Sequence, residues 1–106
     1  MINMLSYHKM VTMVVKKSDR AGKKLVAVFT KDNGRTKKTY FGQAGADDYT
    51  KTKDKAQRSR YRQRHKKDLS TGDYTRAGYL AYHILWGEST SLRENISKYK
   101  SKFNLK

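Results

Sequence analysis

A chain of 106 residues, 36% hydrophobic and 32% charged, has room for one domain with a thin core and excludes two independent cores. It contains no Cys, which excludes a disulfide framework and a thiolate metal site, and no apolar run long enough for a transmembrane helix. Twenty-five Lys and Arg against nine Asp and Glu leave a formal charge of +16, so the compact form repels itself unless an acidic partner neutralises it.

In chain order, Met1–Val15 is mildly apolar, but Tyr7, His8 and Lys9 interrupt it and no small-residue cleavage site follows, so it does not read as a signal peptide. Met10-Val11-Thr12-Met13-Val14-Val15 is β-branched and apolar, as a first strand requires. Turn residues Ser18 to Gly22 follow, and then Leu25–Thr30, the clearest strand. Its partner is Thr36–Phe41, across a turn containing Asn33-Gly34, a pair that tolerates positive φ at both central positions of a type I′ hairpin. Alternation puts Leu25, Ala27 and Phe29 on one face and Val26, Val28 and Thr30 on the other. Neither set is polar, so both faces are candidates for cover.

Gly42–Ala46 breaks the pattern, and Asp47-Asp48 places negative charge where a helix dipole favours it. Lys51–Lys67 has no Gly and is rich in Lys, Arg and Gln, which predicts one continuous helix. Ser70–Asp73 ends it. A second helix is expected over Tyr74–Trp86, with Ala77, Leu80, Ala81, Ile84 and Leu85 at helical spacing and Gly87 as its C-cap. A third starts near Ser91, where Ser91 and Glu94 have the spacing of a capping box, and Leu92, Ile96, Tyr99 and Phe103 form its apolar stripe. The expected fold is α+β: an N-terminal three-stranded antiparallel meander, then about three α-helices, in one domain over 1–106.

The strongest chemical signal is charge. Lys51, Lys53, Lys55, Arg58, Arg60, Arg62, Arg64, Lys66 and Lys67 face one acid, Asp54, so this segment carries half of the net charge. An ordinary solvated helix mixes signs, because like charges at i, i+4 oppose it. The excess points to a polyanion or an acidic protein surface, with the arginines suited to phosphate and carboxylate alike. Lys37 and Lys38 on the return strand extend this set, although Lys on a strand also discourages edge aggregation. Tyr40, Phe41, Tyr49 and Tyr61 interleave with basic residues and are read as core; Trp86 likewise.

Catalytic patterns are missing. His8, His65 and His83 have no metal-helix spacing, and the glycines match neither a phosphate-binding loop nor a dinucleotide fingerprint. A small basic nuclease using His65 and Tyr61 is the one enzymatic alternative. The expectation is a non-enzymatic protein without metal or cofactor. Asn95-Ile96-Ser97 fits the glycosylation pattern by chance.

Tyr40-Phe41-Gly42, Asp48-Tyr49-Thr50-Lys51, Lys53-Asp54, Arg58 to Tyr61, Arg64-His65-Lys66, Ala77-Gly78, Ile84-Leu85-Trp86-Gly87, Ser91-Leu92 and Tyr99-Lys100 through Phe103 occur in that order. The set resembles a family of small basic uncharacterised proteins encoded by large nucleocytoplasmic DNA viruses of algae and amoebae. The family pattern often has Pro near the Trp86–Leu92 turn; this chain has none. The resemblance implies viral context, within a particle or the infected cell, and supplies no activity or catalytic residue to carry over. Two functions follow as expectations. One is a minor capsid or capsid-lining protein bridging capsid or other virion proteins. The other is a sequence-independent nucleic-acid-binding protein that coats or condenses the genome.

Overall fold

A computed structural model describes residues 11–106. Three strands, β1 (Thr12–Lys17), β2 (Lys23–Thr30) and β3 (Thr36–Gln43), pair antiparallel in the order β1-β2-β3. Met10, the expected start of the first strand, lies outside the described residues, and β1 runs on to Lys17. Pairing of Met13 with Phe29 and of Leu25 with Phe41 fixes the register. That register gathers Met13, Ala27, Phe29 and Phe41 into one buried layer, where Leu80, Ile84 and Tyr99 from the helices meet them. The opposite face carries Val14, 55% exposed, aligned with Val28 and Lys38. The helices therefore cover one of the two apolar faces.

The β2–β3 turn differs from the expected type. Only Gly34 takes positive φ (89°); its N–H donates to the Lys31 carbonyl at 2.9 Å, and the Asn33 side chain accepts from Arg35 N–H at 3.0 Å. Asn33 thus serves as a side-chain acceptor, and the turn needs one left-handed residue rather than two.

Four α-helices follow: α1 (Tyr49–Thr52), α2 (Lys55–His65), α3 (Ala77–Leu80) and α4 (Leu92–Lys102). The single helix expected over Lys51–Lys67 is divided at both ends. Lys53 adopts a left-handed conformation (φ 58°), and the Asp54 carboxylate accepts from Ala56 and Gln57 N–H, so α2 has its own N-cap. Beyond His65 the chain tightens into a 3₁₀ turn, Lys66–Thr71. Asp48 caps α1 and is almost fully buried, where Lys24 neutralises it at 2.6 Å.

α3 runs straight into a wider π turn, Ala81–Leu85, closed by Trp86 N–H on the Ala81 carbonyl at 3.0 Å. Ser91 caps α4 by accepting from Glu94 N–H, while its own N–H goes to Ser89 Oγ, so half of the capping box forms. After α4, Lys106 pairs with the outer edge of β1: its N–H donates to Val11 O at 2.8 Å, and its carbonyl accepts from Met13 N–H at 3.1 Å.

A candidate polyanion-binding surface

α2 is amphipathic in an unusual sense: the side that meets the protein is built from Arg58, Tyr61, Arg62 and His65, residues spaced i, i+3, i+4, i+7. Tyr61 stacks between Trp86 (4.4 Å) and His65 (4.1 Å). Arg58 Nε donates to the Gly87 carbonyl at 2.6 Å, and Arg62 Nη1 donates to the carbonyls of Tyr82 (3.2 Å) and Trp86 (2.7 Å). Arg62 also lies over the Tyr82 ring at 4.1 Å. Burial foremost, with a smaller contribution from the nearby Arg58 charge, lowers the Arg62 guanidinium below its ordinary pKa, although the Tyr82 side chain and the Glu88 carboxylate oppose this. The two guanidinium groups act as side-chain caps for the end of the α3–π segment, where carbonyls lack helical partners and positive charge is favourable.

The same turn is closed from the other side by Asn95, which is buried. Its Nδ2 donates to the carbonyls of Ile84 (3.0 Å) and Ser89 (2.8 Å), and its Oδ1 accepts from Ser89 N–H (3.0 Å). This amide is committed inside the protein, which removes it as a glycosylation acceptor. Gly87 directly follows Trp86, the C-cap of the π turn, and does not take positive φ. Its constraint is space: a Cβ there would lie 2.1 Å from the His83 carbonyl oxygen.

The remaining expected contact residues are distributed as follows. Lys55, Arg60, Arg64, Lys66 and Lys67 are exposed on α2 and the following turn; Lys51 is exposed on α1 and Lys53 in the link. Lys37 and Lys38 point to opposite faces of β3. Lys37 donates to Thr75 Oγ1 at 2.8 Å, and Lys38 stands on the open face beside Val28. Among the described residues, the ion pairs of Lys and Arg are Lys24–Asp48, Arg76–Asp73 and Lys98–Glu88. None of the eleven expected contact residues has an acidic partner. Arg58 and Arg62 are used internally, so the surface narrows to the exposed cations around Arg60 and Arg64.

Of the aromatics read as core, Phe41, Tyr49 and Trp86 are buried, and Tyr61 packs against them. Tyr40 instead lies on the open sheet face, under Arg20 (4.2 Å) and donating to Asp19 at 2.8 Å. His65 binds Asp68 at 3.1 Å. Tyr61, the other residue of the nuclease alternative, is pushed up to about 12, chiefly by burial, so its hydroxyl holds its proton at neutral pH. Among the described residues no group of His, Asp and Glu could hold a metal ion, and no helix is long and apolar enough to cross a membrane.

Residues 13–65, the sheet through α2, match the family of unknown function DUF5754. The chain is 40% identical over 82 residues to the uncharacterized protein L851 of Acanthamoeba polyphaga mimivirus, covering 77% of this chain and 76% of that protein. The chain belongs to the DUF5754 family, and its similarity to the mimivirus protein is consistent with a giant-virus family. No solved structure matches it.

Proposed function

We propose that this protein is a non-enzymatic structural component of a large DNA virus particle, a minor capsid or capsid-lining protein that bridges neighbouring virion proteins. One observation carries the reading: a set of exposed cations without acidic partners is mounted on a helix whose inner side is locked to the core by Arg58, Tyr61 and Arg62. Like charges held this close oppose the isolated fold, and an acidic neighbour relieves them. The giant-virus relative supplies the context.

The total of +16 favours a second reading, in which the partner is genomic DNA bound through phosphate without regard to sequence. Binding of random-sequence duplex DNA, followed from about 50 to 300 mM salt, separates the two. Under the capsid reading, affinity vanishes near physiological salt, and mass spectrometry of purified virions detects the chain cross-linked to capsid proteins. Micromolar affinity that persists near about 150 mM salt, with a steep salt slope, moves the assignment to genome coating. Absence of the chain from purified virions rejects both.

A further inference from the structure

A second site is independent of that reading. Between α2, the end of the α3–π segment and α4 lies a cavity of about 270 Å³, lined by Arg62, His83, Glu88, Lys98, Tyr99 and Lys102, with Gly87 and Asn95 at its base. A water molecule occupies roughly 30 Å³ in the liquid, so the space admits a tetrahedral oxyanion with part of the group that bears it.

Most polar atoms of this wall are already engaged. The Asn95 amide holds Ile84 and Ser89, and Tyr99 donates its hydroxyl to the Tyr74 carbonyl at 2.6 Å. Lys98 meets Glu88 at 3.3 Å at the exposed rim. Three groups remain. Arg62 uses Nη1 for its carbonyl contacts, leaving Nε and Nη2 without protein partners among the described residues. The His83 ring nitrogens and the Lys102 ammonium have none either. No buried side-chain nitrogen or oxygen among the described residues lacks a partner, so these unpartnered nitrogens are accessible, and all three residues line the cavity.

We infer that this cavity binds a phosphate-monoester oxyanion, held by the free guanidinium edge of Arg62, the His83 imidazole and the Lys102 ammonium, with the Lys98–Glu88 pair at its rim. Guanidinium and ammonium together supply charge-assisted donors of the kind phosphate requires. The state of His83 fits. Burial foremost, then the charges of Arg62 and Lys102, lower its pKa to about 4, so at neutral pH the ring is uncharged in the field of both cations. The other groups around it are Tyr79 and Tyr82 on its own element, Tyr99 and Phe103 on the α4 side, and Glu88 and Lys98 at the rim. A bound anion offsets the two cations and raises the His83 pKa.

The test is NMR of the full chain, following the His83 ring across pH with and without inorganic phosphate, with H83Q used for assignment. The proposal requires a saturable upward movement of the His83 titration midpoint and coincident shifts of the Lys102 side chain. It also requires K102M to weaken phosphate binding about tenfold, as loss of a charged donor does. R93M removes the same charge from the exposed side of α4 and leaves binding unchanged. A short oligonucleotide tested with a 5′-phosphate and with a 5′-hydroxyl identifies the source: preference for the phosphorylated end assigns the site to a nucleic-acid terminus, and equal response with retained inorganic phosphate binding assigns it to a small phosphorylated ligand. A His83 ring unmoved by any probe overturns the proposal, as does equal weakening by K102M and R93M.

Discussion

Gly87 and Asn95 show how much the Trp86–Ser91 turn depends on single side chains. A methyl group at residue 87 would have to displace the His83 carbonyl or the Asn95 amide, 2.1 and 2.9 Å away. Gly87→Ala is expected to lower stability by about 3 kcal/mol, as forced overpacking does, read as a lower midpoint in urea unfolding with an unchanged slope. A Gly→Ala change of similar size at Gly45, where a Cβ meets nothing but φ is +82°, reports backbone strain alone and is expected to cost less. His83 adds a dependence on pH. Its folded pKa, about 4, is below the ordinary 6.5, so the unfolded chain binds the extra proton first. The contribution of the neutral ring is complete above about pH 6.5 and is lost as pH falls towards 4. Asp19 and Asp73, held below 3.8 mainly by hydrogen bonds from Tyr40 and Thr75, lose theirs only at lower pH. Thermal unfolding should therefore show a falling midpoint between pH 6.5 and 4.5, and His83→Gln should flatten that limb; an identical slope in the variant would refute the assignment.

At the scale of elements, α2 separates structural arginines from exposed ones. Arg58→Gln with Arg62→Gln removes the donors from three carbonyls of the Tyr82–Gly87 segment and is expected to cost about 2 kcal/mol or more. Arg60→Gln with Arg64→Gln removes the same charge from the exposed side and should change stability by less than about 0.5 kcal/mol while weakening partner binding. Circular dichroism melts of the two double variants decide this, and equal loss of stability would contradict the division. The i, i+3, i+4, i+7 spacing of Arg58, Tyr61, Arg62 and His65 was present in the sequence, but a search for apolar stripes passes over a packed face made of guanidinium and aromatic groups. Asp54 was likewise visible as a cap-type residue inside a basic run, and it divides the expected helix. The π turn left no readable sign, since it arises where Arg62, Arg58 and Asn95 together hold the last carbonyls. The hairpin and the α4 stripe were legible because each rests on local spacing: Asn33-Gly34 for one, Leu92, Ile96, Tyr99 and Phe103 for the other.

For the whole molecule, composition gave the charge and the order of local patterns gave the fold class, whereas the long-range matching of side chains to carbonyls that makes both the α2 anchor and the His83 cavity could not be read from local pattern. The charge has a measurable consequence of its own. With few internal ion pairs among the described residues, added salt mainly screens repulsion rather than breaking attractive contacts. The unfolding midpoint should rise by several degrees between about 50 and 500 mM sodium chloride, where the Debye length falls below about 5 Å. A midpoint that drops over this range would mean that attractive pairs dominate.

The pairing of Lys106 with Val11 and Met13 also sets a timetable. Its two hydrogen bonds join opposite ends of the described chain, so the β1 edge cannot be closed until synthesis has delivered everything in between. A nascent chain can form the β1–β2–β3 meander from local contacts early, but Val11 and Met13 lack this pairing until Lys106 has been made. Leu105, packed in the core, arrives beside that pairing, and a chain halted after α4 should self-associate through β1 more than one that includes Leu105 and Lys106.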